Sequence, residues 1–506
     1  MLIISEKHPN KRTTVRSLTI KLKSGIFCAG CYRLCFAALA VVLSSAFSLR
    51  AVEESSGYGP AFDRFKLTLE AGYRTEIAGP FYYSQQQDSE TITAFPPFFS
   101  CEREPVADRH ENNILYPLLT HTFYGHESRW QLFQLLSFAG GDEPDETGVR
   151  RFTVFPFYFQ QRAAKPELNY TALIPFYGHL RNRLFRDEMN FLLLPLWIET
   201  RKRDVVTENY GFPFFHLRHG DGLSGWQFWP VAGREHKAIT TATNIWGDVS
   251  AVPGHQKDFY AWPLYLREDT GIGSDNPEKF LGSLPLFAIS RSPKRDATSF
   301  LFPFFEIIDD REKKYQEWEG PWPFVIFTRG EGKTTDRVWP LFSQSHNATQ
   351  QSDSYLWPLY TYKRTHADPL DKFTERLGLL CYVTAVEKNT ATGKSKKRID
   401  AWPLFTWKKE FNGNERLQIF APLEPAVPNN RGIEKNWSPL WSLFRAEDNP
   451  QAKTLSRSLL WNLYRREAAP GQKKVSLLFG LFQYQSDQGS RQTRVFYVPV
   501  SASTAK

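Results

Sequence analysis

Ala401-Trp402-Pro403-Leu404-Phe405-Thr406-Trp407, followed by Lys408-Lys409-Glu410 and the turn formers Asn412-Gly413-Asn414, decides the fold of this chain. An apolar run with a proline inside it does not make a helix, because an interior proline costs about 3 kcal/mol there. Aromatic and β-branched side chains suit a pleated strand instead. On a strand alternate residues face opposite sides, so Trp402, Leu404 and Thr406 are expected to share one face, and Ala401, Pro403, Phe405 and Trp407 the other. Asn-Gly then punctuates a hairpin.

The same unit recurs along the chain as Val154-Phe-Pro-Phe-Tyr158, Leu194-Pro-Leu-Trp197, Gly211-Phe-Pro-Phe-Phe215, Ala261-Trp-Pro-Leu-Tyr265, Ser283-Leu-Pro-Leu-Phe287 and Leu301-Phe-Pro-Phe-Phe305. It continues as Pro321-Trp-Pro-Phe-Val325, Val338-Trp-Pro-Leu-Phe342 and Leu356-Trp-Pro-Leu-Tyr360. Degenerate copies keep the apolar frame without the proline, as at Trp130–Phe133, Leu377–Leu380, Trp441–Phe444, Trp461–Tyr464 and Phe479–Phe482, and weak early copies stand at Gly79–Tyr82 and Tyr116–Leu119. Between Gly79 and Val498 there are about 23 copies with a mean spacing of about 19 residues, a period of one structural element.

Each unit reads as one strand plus one turn, since an apolar stretch is bounded by polar turn formers such as Pro428-Asn-Asn-Arg-Gly432 and Ala469-Pro-Gly-Gln472. The expectation is an all-β antiparallel meander of about 22–24 strands with an apolar waist and charged strand ends, closed as a large β-barrel. Closure removes the edges that so wide a sheet carries. The repeated proline lacks an N–H and usually avoids central strands, so it stands either at a bulge or along one rim.

The W-P-L-[FY] units resemble those of large uncharacterised bacterial exported proteins built from tandem β-repeats, over about residues 77 to 500. The resemblance implies an envelope location and an outer-membrane β-barrel-like architecture, and implies no activity. Loss of the proline at Trp441, Trp461 and Phe479 puts in doubt any role that needs proline in every unit.

Composition agrees with sheet: aromatics make up 15% of the 506 residues, Met only two positions, and apolar and charged residues 41% and 23%. Residues 1–51 read as a cleaved targeting segment, with basic residues from Lys7 to Arg33 preceding the apolar run Cys35–Leu43 and the small residues Ser44, Ser45 and Ala46. That run is too short for a bilayer-spanning helix. Residues 52–76 form a lead-in, 77–500 the repeat domain and 501–506 a tail. The formal charge is +9, but residues 1–51 hold eight Lys or Arg against Glu6, leaving +2 on the remainder. This balance gives no electrostatic case for nucleic acid. Cys28, Cys31 and Cys35 lie in the targeting segment, and Cys101 and Cys381 are left for at most one bridge.

No catalytic, cofactor-binding or metal-ligating residue stands out, and no cofactor is expected. His216 and His219, three apart on a strand, face opposite sides. Arg234-Glu235-His236 reads as a loop without further zinc ligands. Asp142–Glu146 and Asp309–Glu312 read as solvated turns, and neither Gly271-Ile-Gly273 nor Asn347-Ala-Thr349 needs a ligand. The function expected is that of a non-enzymatic exported envelope protein in contact with outer-membrane lipid, with a structural, pore or transport role. The alternative is a soluble or surface-attached β-repeat scaffold of the periplasm or cell surface.

Overall fold

A computed structural model describes residues 57–504 apart from 59–60, 134, 142–147 and 244–245; the targeting segment and the Asp142–Glu146 cluster lie outside the described residues. The chain forms one antiparallel sheet of 43 strands, joined strand to strand in sequence order, with a two-stranded hairpin, Thr240–Thr243 and Val249–Val252, standing apart from it. The all-β antiparallel meander is as expected from the repeat. The strand number is not, and the reason lies in the opening stretch. Ala401 ends the strand Ser395–Ala401, Trp402-Pro403-Leu404 forms a turn, and Phe405 begins the strand Phe405–Lys409.

The repeat unit is therefore a hairpin with two strands and two turns. A strand commonly holds 5–6 residues, so a period of about 19 has room for two strands and both of their turns. The motif turns line one rim of the sheet. The Leu404 amide donates to the Ala401 carbonyl at 2.6 Å, which closes a four-residue turn with Pro403 in third position and a cis bond before it. Proline fits there because no donor is needed. Its carbonyl is used instead: Ala421 N–H donates to Pro403 O at 2.9 Å, Trp262 N–H to Pro230 O at 2.7 Å, and Trp357 N–H to Pro340 O at 2.8 Å. Successive motif turns thus extend the strand ladder across the rim, which places the proline at a rim and not at a bulge.

The register carries one face unbroken from strand to strand. Phe65, Arg74, Glu76, Tyr83 and Ala94 belong to it at the start, Asn209, His216 and Gln227 near the middle, and Thr406, Gln418, Arg445 and Ser458 toward the end. This face is mainly polar. It holds an apolar cluster locally, where Phe159, Tyr170, Ala172, Leu180 and Phe191 are buried together. Gly178 sits in that cluster, and a Cβ there would lie 2.4 Å from Ala172 Cβ and 2.5 Å from the Phe191 ring, so only glycine fits. The expectation that both faces are apolar at mid-strand is corrected, because the apolar motif sits at the turns and leaves the strand interiors to alternate polar and mixed residues.

The first strands meet strands of the C-terminal part through this same face. Asn462 Nδ2 donates to Glu76 Oε2 at 2.8 Å, the Arg465 guanidinium lies 3.3 Å from the Phe65 ring centre, and Gln483 Nε2 donates to Gly57 O at 2.8 Å. An insert, residues 420–443, replaces one motif turn and carries two short helices, Arg431–Asn436 and Ser438–Trp441. Pro428–Gly432 therefore leads into a helix, with Asn430 Oδ1 accepting from Ile433 N–H at 3.0 Å, and is no hairpin turn. The insert reaches the early strands: Lys435 Nζ is paired with Glu102 and, at 3.0 Å, with Glu111, and Tyr83 Oη donates to Lys435 O at 2.9 Å. Among the described residues Asp63–Lys66 pairs with Gly72–Ile77 and Val498–Thr504 with Ser490–Val495, and no ladder joins the first strand to the last. Cys101 is buried and Cys381 exposed, and neither is in a disulfide, so the one bridge that the sequence allowed is not formed.

Candidate functional site

The motif rim is the most unusual surface of the molecule. From Phe95 to Phe405 no turn on it, and no residue flanking such a turn on the outward face, is Asp, Glu, Lys or Arg. Its side chains are open to solvent: Trp357 is 48% exposed, Leu286 60% and Leu404 64%. Leu404 and Trp402 are thus turn residues at the surface, which corrects their expected place in an apolar strand waist. Neighbouring rings run on from turn to turn, with Phe214, Trp229 and Trp262 successively 6.0 and 5.5 Å apart and Phe324, Trp339 and Trp357 successively 5.6 and 5.7 Å apart. One step inward, the outward face carries cross-strand aromatic pairs, Tyr260 with Tyr265 at 5.8 Å and Tyr355 with Tyr360 at 5.9 Å.

Two steps inward the outward face is mixed: Arg234 Nε pairs with Asp258 at 2.7 Å, and the exposed Trp226, Ile307 and Trp318 lie in the same row. One row further it turns charged, where Arg329 and Arg364 reach Asp336 and Asp371, each at 2.6 Å. The opposite rim is charged and turn-rich, as at Asp221-Gly222, Arg311–Lys314, Glu331-Gly332 and Asp368-Pro369. The surface free of charge is therefore a narrow band, made by the motif turns and the first outward row, and a mixed row separates it from the charged one.

The polar constellations fall elsewhere. His216 lies on the inner face opposite Asn209 and Gln227, and His219 on the outward face, so the two point apart as their spacing requires. Arg234-Glu235-His236 is part of the strand Ala232–Lys237 and no loop; its Glu235 accepts from His255 and from Arg218, each at 2.6 Å. Asp309–Glu312 crosses from strand into the polar rim and is taken up by ion pairs, Arg311 with Asp296 at 2.9 Å and Lys294 with Glu312 at 2.6 Å. Gly271 and Gly273 stand in another polar-rim turn, both with positive φ. Asn347 Oδ1 accepts from Thr349 N–H at 2.9 Å, which makes that site a capped turn.

Two acidic or mixed clusters escaped the sequence reading, one because the strand register that sets its members opposite each other was not read, the other because its members are far apart in the chain. Glu306 and Glu319 stand directly opposite each other beside Glu317, and burial together with these two neighbours pushes the Glu319 carboxyl up to about 7. Between the first strands and those around Arg445 to Arg465 a small cavity of about 110 Å³ is lined by Arg74, Glu76, Arg445, Glu447, Asn462 and Arg465. Its charges neutralise one another, Arg74 with Glu76 and Arg445 with Glu447 both at 2.7 Å, so it joins the ends of the sheet. Among the described residues no group of three or more His, Cys, Asp or Glu is arranged to hold a metal ion. In comparisons with known proteins, no protein-family model and no curated protein sequence matches the chain.

Proposed function

We propose that this is a non-enzymatic structural protein of a bacterial-type cell envelope, exported by its N-terminal segment, whose repeat sheet is a scaffold attached to a membrane surface. The observation that carries the reading is the uncharged, solvent-open band along the motif rim, since a contiguous apolar patch of this extent marks a contact surface. A wall-spanning barrel is less well supported. Transmembrane strands need about 9–11 residues, whereas the longest strands here hold eight. The outward Arg234 and Arg364 lie mid-strand and would fall near the bilayer midplane, where an Arg costs about 2–4 kcal/mol. A count of 43 strands also exceeds the largest such barrels, which reach about 36.

Fractionation tests the reading. The full-length protein is expected in the membrane fraction of the expressing cell and to be stripped from it by alkaline carbonate. Retention after carbonate would restore the spanning barrel, and recovery wholly in the soluble periplasmic fraction would remove the membrane altogether.

A further inference from the structure

We infer that the motif rim seats the sheet in a single lipid leaflet, with the Trp-Pro-Leu-aromatic turns and the first outward row immersed and the next outward row, of mixed rings and charges, at the headgroups. The inference deepens the envelope reading by naming lipid as the substance that covers this rim. Its first support is depth. The turns and one outward row make a band roughly 5–10 Å tall, the depth to which interfacial elements bury an apolar face, and the outward charges of Arg234 in the next row and of Arg329 in the row beyond it keep it from going further.

The second support is the chemistry of the band. The rim backbone is already used, each motif turn donating to the one before it, and its side chains are Trp, Phe, Leu and Pro. A specific protein interface carries about one hydrogen bond per 100–200 Å², and this band offers few groups that would fix the register of a second copy or of another protein. A fluid apolar solvent needs no register. The third support is the ring composition, with half-exposed indoles at Trp262, Trp339 and Trp357 and tyrosines one row inward; Trp and Tyr are enriched where hydrocarbon meets headgroups.

The test uses the full-length protein and vesicles of phosphatidylethanolamine and phosphatidylglycerol. Leu286→Asp, Leu341→Asp and Leu404→Asp are combined in one variant, since all three leucines are more than half exposed and folding does not depend on hiding them. A control places the same charge on the other rim through Ala348→Asp, Ala391→Asp and Ala452→Asp, all exposed turn residues. The unsubstituted protein is expected to float with the vesicles, its tryptophan emission shifting to the blue and quenched more by lipids brominated near the headgroup than by those brominated at the chain end. The motif-rim variant is expected to lose about tenfold or more in vesicle affinity with an unchanged circular dichroism spectrum, and the control to stay within about twofold. Equal affinities for the two variants would overturn the inference, even if the protein still fractionated with membranes in the cell, in which case the envelope reading would stand without it. A lipid-free dimer of the unsubstituted protein that the motif-rim variant abolishes would overturn it in favour of a second copy as the occupant.

Discussion

Two rims bound the same sheet and ask the same thing of the backbone, a reversal within a few residues, yet they are made of opposite chemistry. On the polar rim the left-handed positions are held mostly by polar residues or glycine, as at Asp88, Asp108, Arg203, Asp221, Gly222 and Lys314, with Leu184 and Phe185 as the apolar pair among them. On the motif rim the comparable position is filled in several units by Leu, with φ of +48° at Leu193, +47° at Leu301 and +46° at Leu356, although Gly211 and Gly378 occupy it in sister units at +58°. A left-handed backbone costs a residue with a Cβ roughly 1–2 kcal/mol. Turn formation alone therefore does not account for leucine there. The apolar character of the rim is kept against the local preference of the backbone, which is expected if the rim meets an apolar surrounding.

The comparison is sharpest where the motif rim is interrupted. The insert 420–443 brings Lys435, 6% exposed, against Glu102, 2% exposed, and Glu111. On the polar rim Lys314 and Glu331 form a pair in open solvent. Lys435→Ala leaves buried carboxylates short of a partner and is expected to destabilise by about 3 kcal/mol or more, whereas Lys314→Ala is expected to leave stability unchanged. Urea unfolding of both variants checks this. Equal midpoints would mean that the insert does not hold the ends of the sheet together.

Carboxyl titration separates the rims in the same way. Asp296 and Asp371, toward the polar rim, are held below the ordinary range by hydrogen bonds from Arg311 and Arg364. Glu319, the last residue before the motif turn at Gly320, is raised to about 7 by burial and then by Glu317 and Glu306. A carboxyl whose folded value lies above its unfolded one binds its proton more tightly in the folded state. Its contribution is full below the unfolded value near 4.5 and is lost as pH rises through about 7. Stability is thus expected to fall across that window, and Glu319→Gln to flatten the fall. A variant with the same pH profile as the parent would show that the three glutamates do not act as a buried cluster.

The β class, the antiparallel order and the tandem unit were legible because proline and aromatic residues rule out helix wherever they recur. What was not legible was the position of the unit within its strand. Ala401–Trp407 alternates well enough to pass for a strand, and nothing local distinguishes a strand with a proline in it from two strand ends joined by a turn. The spacing held the answer. A period of about 19 leaves more residues than one strand and one turn can use, and the charged stretches taken as strand ends, such as Lys408–Glu410, lead into the turns of a second rim. The contacts of Lys435 with Glu102, and of Asn462 with Glu76, link residues more than 300 apart in the chain, and no periodicity announces them.

Smaller effects test the motif rim itself. Leu356→Gly relieves the left-handed strain at φ +46° and is expected to raise stability by about 1 kcal/mol while weakening vesicle binding. A loss of stability in thermal unfolding would mean that the Leu356 side chain is packed in the folded protein. Leu404→Asp is expected to have the smallest effect on folding. If Leu404 lay in a packed strand waist, as its alternation with Trp402 and Thr406 suggests, an unpartnered carboxylate there would cost several kcal/mol. At 64% exposed it meets water on the rim, so the change should stay within about 0.5 kcal/mol, and folded yield and protease resistance should match those of Lys409→Asp at the start of a polar-rim turn. The two variants should then part company only when vesicles are added, Leu404→Asp binding more weakly. A collapse of the folded yield of Leu404→Asp in the absence of lipid would place this leucine in a packed interior, and the difference between the two rims would then be one of burial and not of surroundings.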